Sequence, residues 1–313
     1  MKNNVLCFIQ RKRLTDWKRL TITRKDSAWI YGSKDKTVFY EELKNGGTLW
    51  IVSPIPQRPP ELVARISVET VRSRKDSALI KLGVSGRLLR HFRNWKWIAL
   101  GKEDSEFYGH NNAGKALLET TFESPSGKQW LINRRAKKWH SKFGKKFQGP
   151  RKISSCSLNS NKTGVTALEN LASTKSRSIF ISWKWSDNSK KNIKSLAYTL
   201  VEKGFMPWLD LLAFPLAEAS RKINENKVAL EALLKYGYDQ CFAIFGVDTM
   251  NYGKRSTKYD NKKKKNKNWT LREWEGKLSP EKKVVRIAYQ PEGKSKSKIV
   301  RDAEIQILSI KRK

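Results

Sequence analysis

Hydrophobic positions in the first 148 residues recur with the period of a strand. In "ELVARISVETV" (61–71), Leu62, Ala64, Ile66 and Val68 alternate with Val63, Arg65 and Ser67, the pattern of a half-buried strand. "TLWIVSPI" (48–55), entered from Gly46-Gly47, and "NWKWIAL" (94–100) are short apolar runs that read as further strands, with "QRPP" (57–60) as a loop. "NAGKALLETTF" (112–122) opens as a helix capped at Asn111 or Asn112. The half closes on "RRAKKWHSKFGKKFQG" (134–149), where cations interleave with Trp139, Phe143 and Phe147.

Beyond residue 176 the period itself alternates. "RSIFISW" (177–183) is a β-branched apolar run. "NSKKNIKSLAYTLVEKG" (188–204) sets Ile193, Leu196, Ala197, Leu200 and Val201 at helical spacing and stops at Gly204. "FMPWLD" (205–210) is a short strand whose Pro207 suits an edge. A helix over 215–237, opened by Pro215 and closed by Gly237, leads to a buried strand "QCFAIFGV" (240–247). "WTLREWEGKL" (269–278) is a short helix, "KVVRIAY" (283–289) a strand, and "AEIQILSI" (303–310) a last element of either type. Strands alternating with helices predict a parallel sheet with helices on both faces, and ligands beyond the carboxyl ends of its strands. Between the halves, 149–176 is rich in Ser, Asn, Thr and Lys and reads as a linker with at most a helical turn. The expected plan is therefore a basic, β-rich (α+β) domain at 1–148, a linker at 149–176 and an α/β domain at 177–313.

Charge changes this picture most. Of 313 residues, 65 are Lys or Arg and 29 Asp or Glu, a net charge of +36. Such a field attracts polyanions, nucleic acid first, although a solvated basic surface fits it too. A 38% hydrophobic content with 12 Trp and 12 Phe is enough to build cores. Cys7, Cys156 and Cys241 have neither zinc spacing nor a disulfide framework, which fits a reducing compartment, and no metal is expected. No apolar run approaches the roughly 18 residues of a membrane span, and no secretory signal is read. The expectation is a cytoplasmic protein with no membrane partner.

The positions that follow the predicted strands carry the candidate chemistry. "SWKWSD" (182–187) follows the first, "LDLLAFP" (209–215) the second, and a long basic loop leading to "NWTLREWE" (268–275) the third. Together they offer Trp183, Trp185 and Trp269 as aromatic faces, Lys184 and Arg272 as cations, and Asp187, Asp210 and Glu273 as carboxylates. The segment "IFISWKWSD…LAYTLVEKGFMPWLD" resembles the opening of a TIR domain, and "NWTLREWE" is similar to that family's Trp-x-x-x-Glu segment at the start of the helix after the third strand. Trp183 stands where the family has Tyr, and the loop at 248–267 is longer and more basic than usual. The resemblance implies a flavodoxin-like α/β fold over about 177–313. It also implies assembly into a homo-oligomer through this domain, and cleavage of NAD+ between nicotinamide and ribose in antiviral or immune defence. Glu273 would be the catalytic glutamate, and NAD+ a substrate with no resident cofactor.

One carboxylate suits that chemistry. The nicotinamide of NAD+ is already cationic and leaves without a general acid, so the need is to stabilise an oxocarbenium-like ribose. Ordinary glycosidases need a second carboxyl because their leaving group must be protonated. Trp183 or Trp185 would stack on a ring of the dinucleotide, and Lys184 and Arg272 would hold its diphosphate. Each residue has a plainer reading. Glu273 fits a favourable helix-dipole interaction of about 0.3–1 kcal/mol, Trp269 fits packing, Asp187 a cap and Asp210 a structured loop. A non-enzymatic assembly module, or a nucleic-acid-binding protein, is the alternative for the whole chain.

In the first half, "GGTLWIVSPIP…PPELVARISVE" and "FYGHNNAGKALLETTFES" resemble PUA-like domains, a β-barrel group some of whose members read modified bases. No residue is carried over from that likeness. For a nucleic-acid trigger, Trp95 and Trp97 would stack on bases, and Arg134, Arg135, Lys137 and Lys138 would hold phosphates.

Overall fold

The alternating run around residues 61–71 forms the longest strand in a computed structural model of the chain. The structure describes residues 3–22, 29–55, 58–82, 84, 86–133, 147, 149–156, 158, 164–173, 178–183, 190–209, 227–248 and 284–288. It is an α/β protein of two compact units: Met1–Thr174 with Lys222–Leu233, and Lys175–Arg221 with Leu234–Lys313.

The strands of the first unit are β1 (Asn4–Phe8), β2 (Trp29–Ser33), β3 (Gly47–Ile55), β4 (Arg58–Ser73), β5 (Trp97–Gly101), β6 (Glu106–Phe107), β7 (Phe122–Glu123), β8 (Gln129–Trp130) and β9 (Arg151–Ile153). They form a mixed sheet in the order β2-β5-β4-β3-β1-β9-β7-β8, with β6 also on β4. Only β1 and β3 are parallel among the pairs described. Leu62, Ala64, Ile66 and Val68 are all buried and Arg65 and Ser67 between them are half-buried, but Val63, expected on the same face as Arg65 and Ser67, is buried too, so the alternation holds only from Ala64 onward. The helix Arg11–Ile22 buries Leu14 and Trp17. Trp17 donates its indole N–H to the Ile30 carbonyl at 2.7 Å and meets Phe107 edge-on at 5.0 Å.

Two expectations change in this unit. Arg58, Pro59 and Pro60, read as loop, begin β4, and Ile55 pairs with Arg58. Proline gives no N–H to a ladder, and the β3–β4 ladder is irregular nearby, with register shifts at Ile51/Val52 and Ser53/Ile55. Residues 149–176 are not a bare linker. They hold β9, paired on one edge to β1 and on the other to β7, and a helix Thr166–Ala172 that buries Leu168 and Ala172. β9 is three residues long and rests on its two ladders, so it has no hydrophobic period to read.

The second unit holds β10 (Ser178–Ser182), β11 (Met206–Trp208), β12 (Ala243–Asp248) and β13 (Val284–Ala288). Their order is β11-β10-β12-β13, and all three pairings are parallel. Among the described strands β11, which carries Pro207, lies at an edge of this sheet. The helix Lys190–Glu202 sets Ile193, Leu196, Ala197 and Leu200 against Ile179, Ile181, Phe245 and Val247. Phe180, on the other sheet face by alternation, meets Tyr238 of the helix Lys227–Gln240 at 5.3 Å. Gly204, at φ +81°, ends the first of these helices. Gly237 does not end the second, which runs on to Gln240. Trp208 occupies the space beside Gly237, where an added Cβ would collide with the indole. The elements expected over 269–278 and 303–310, and 215–226 of the helix expected over 215–237, lie outside the described residues. Among the described residues no helix is long and apolar enough to cross a membrane, which says nothing of strands.

Candidate functional site

Parallel pairing brings the carboxyl ends of β10, β11 and β12 to one edge of the second sheet, at Ser182, Trp208 and Asp248. Trp183, the residue after β10, does not offer a ring to a ligand there. It is 3% exposed and packs in the apolar cluster with Ile193 and Phe245. An indole following a fully buried strand gains more from core burial than from the rim. Lys184, Trp185, Asp187, Asp210, Trp269, Arg272 and Glu273 lie outside the described residues, as do Arg134, Arg135, Lys137 and Lys138.

The two remaining sequence candidates are in the first unit and take different roles. Trp97 starts β5, half-buried, with its ring 4.3 Å from that of Tyr40. Trp95 lines a cleft of about 710 Å³, within the range of small-molecule sites. The end of β1 gives the cleft Cys7, Phe8 and Ile9, and the start of the first helix gives Gln10 and Arg13. The end of β2 and its loop give Tyr31 to Asp35, the turn before β5 gives Phe92, Asn94 and Trp95, and Gly149 and Pro150 close it ahead of β9. The cleft thus gathers the ends of β1 and β2 and the chain entering β5 and β9.

Its aromatic wall is fixed. Trp95 and Phe92 stack with centroids 4.2 Å apart and planes 8° from parallel, and Tyr31 stands 5.4 Å from Trp95. Gly32 is required under this wall, because any Cβ there would come within 2.6 Å of three Trp95 ring atoms. Tyr31 donates its hydroxyl to the Phe8 carbonyl at 2.9 Å. Burial pushes both the Tyr31 phenol and the Cys7 thiol up, with Asp35 adding to the effect on Cys7, so both are neutral in this wall. Arg13 donates to the His91 carbonyl at 3.2 Å and lies over the Phe92 ring at 5.8 Å. Asp35 is committed to structure, accepting from the Val38 and Phe39 amides at 2.7 and 3.1 Å. By contrast, Gln10, Lys34 and Asn94 are exposed, and their side chains bond to nothing described. A smaller cavity of about 290 Å³ shares Asp35 and Pro150 and adds Trp130 and Lys152.

A second polar cluster is largely buried. Glu61, 1% exposed, accepts from Arg11 at 2.7 Å through one oxygen and holds His110 Nδ1 at 2.9 Å with the other. Burial alone would raise this carboxyl, but His110 and Arg11 outweigh it and hold it at about 2. Burial lowers His110 against the pull of Glu61. Glu61 is ionised, and because a carboxylate only accepts, His110 carries a proton on Nδ1. Lys18, 3% exposed beside them, is brought down to about 7, first by burial and then by Arg11. This group ties the first helix, β4 and the segment after β6 together, and no described cavity opens onto it. Among the described residues no group of three or more His, Cys, Asp or Glu is placed to hold a metal.

The sequence marked Trp95 by its neighbours but not Arg13, Tyr31 or Asn94, which reach the cleft from three separate elements. Glu61 was open to notice as a lone carboxylate inside an apolar strand. No family model, curated protein or solved structure matches the chain.

Proposed function

We propose that the second unit is a TIR-type NAD+ glycohydrolase that acts in defence once the first unit has met its trigger. The observation that carries the reading is the strand order. An all-parallel β11-β10-β12-β13 sheet is the 2-1-3-4 order of doubly wound, flavodoxin-like domains, which bind ligands beyond the strand carboxyl ends. The segments with Lys184, Trp185 and Asp187, with Asp210, and with Trp269, Arg272 and Glu273 each follow one of those strands in the chain.

In the proposed reaction the C1′–N bond breaks and its electron pair leaves on nicotinamide, which becomes neutral. Glu273 stabilises the cationic ribose, water forms the new C1′–O bond, and its proton passes to solvent. Lys184 and Arg272 hold the diphosphate and Trp185 a ring, while Asp187, Asp210 and Trp269 border the sugar. Trp183 supports this rim from the core. Homo-oligomerisation is part of the proposal, because a destructive activity needs gating.

The test is release of nicotinamide from NAD+ by the full-length protein, alone, with nucleic acid, and under forced oligomerisation. Glu273→Gln is expected to cut the rate by about 100-fold or more, the size of losing a dominant electrostatic group. No release under any of these conditions would leave a non-enzymatic assembly module as the better account.

A further inference from the structure

The 710 Å³ cleft of the first unit has features that the hydrolase reading does not use. Its aromatic wall is Trp95, half-buried and held in place by stacking at 8° on the buried Phe92, and the open part of the indole suits a planar ring system. Gln10 and Asn94 bring two side-chain amides, each with a donor and an acceptor, and neither is bonded to any described group. Lys34 is exposed and equally uncommitted. Arg13 has spent one donor on His91 and retains others on a guanidinium braced against Phe92. Two cations thus face a single carboxylate, Asp35, whose Oδ1 already accepts from two backbone amides.

From this set we infer that the cleft is a binding site for a nucleotide. The base lies against the aromatic wall, its edge is read by Gln10 and Asn94, and its phosphate is held by Lys34 and Arg13. An apolar metabolite would leave the amides and cations unanswered. A simple anion would not need the rings. The net charge of +36 favours arrival of such a ligand from solution. A free nucleotide and a nucleotide within a single strand offer the same base and phosphate, so both are sources. The inference stands whether or not the second unit hydrolyses NAD+.

Calorimetry on the full chain tests it with three probes: the four nucleoside 5′-monophosphates, the matching nucleosides, and a short mixed-sequence single-stranded DNA. Asn94→Ala and Lys34→Ala are the variants, since both residues are exposed and neither supports the fold through a described bond. At least one probe is expected to bind. Asn94→Ala should weaken it about fivefold to tenfold, the size of one lost hydrogen bond. Lys34→Ala should weaken phosphate-bearing probes and leave nucleosides unchanged. Saturable binding of monophosphates identifies the free ligand, and binding of DNA alone identifies the strand. The inference is overturned if no probe binds at about 1 mM, or if neither substitution changes the affinity. In the latter case the basic surface, not the cleft, is the binder.

Discussion

At the scale of single residues, the firmest constraint is Glu61. Its carboxylate is 1% exposed and answers both Arg11 and His110, so it joins the first helix to β4 and to the segment after β6. Glu61→Gln would set an N–H₂ against one of two donors at an almost wholly buried carboxyl position. The expected loss is about 3 kcal/mol, at the low end for breaking a buried ion pair because Arg11 is partly solvated. The pH dependence follows from the depressed carboxyl. With a folded value of about 2 against 4.5, the stabilisation by Glu61 is complete above pH 4.5 and is lost as pH falls through 2. Urea midpoints should therefore separate wild type from variant widely at pH 7 and progressively less below pH 4.5. A gap that stayed constant down to pH 2 would mean that the carboxylate charge is not what holds the cluster. This residue also shows what sequence alone could reach. A lone acid in "PPELVARISV" signals a buried partner, but the partners lie 50 and 49 positions away and no local spacing names them.

At the scale of elements, the parts with a clear hydrophobic period were legible and the parts held by ladders or by distant packing were not. β3, β4, β5, β10, β12, β13 and the helix Lys190–Glu202 follow from their apolar spacing and stops. β1, β2 and β9 do not, since β1 and β9 are fixed by neighbours on both edges and β2 by a single long-range pairing. Gly237 is the instructive case. A glycine after an apolar helical run reads as a stop, yet here it lies inside the helix because Trp208, 1% exposed, fills the place of its side chain. Two effects oppose each other in Gly237→Ala. Helix propensity favours alanine by about 1 kcal/mol, while forcing a methyl against the Trp208 indole costs about 1–3 kcal/mol even after adjustment. The clash is with a buried ring that has little room to retreat, so the variant should melt lower than wild type. Trp208→Phe in the same background should recover part of the loss, and an alanine variant that melts higher would show that the indole does not pack there.

At the scale of the whole molecule, the plan of a β-rich first part and a strand–helix second part was readable, because a change of hydrophobic period survives in any window of sequence. The boundary after Thr174 falls inside the stretch read as linker, but the polar composition of that stretch concealed a strand and a helix that complete the first unit. The cleft was hidden for a related reason: its walls come from five stretches spread between Cys7 and Pro150, and only Trp95 stood out among them. Net charge, in contrast, is a property of the sequence that the fold cannot remove. With +36 on 313 residues, like charges crowd on folding and oppose the compact state. The described surface ion pairs, such as Lys44–Glu41 and Lys235–Asp239, are few and individually worth about 1 kcal/mol or less. Repulsion should therefore dominate the salt response. Raising NaCl from about 0.01 M to about 0.15 M shortens the screening length from about 30 to about 8 Å, and the melting temperature should climb over that range. Sodium phosphate at matched ionic strength separates general screening from occupation of specific anion sites, because only the second adds a further, saturable rise. A melting temperature that is flat or falls with NaCl would mean that the excess cations already lie too far apart, or too well paired, to strain the fold.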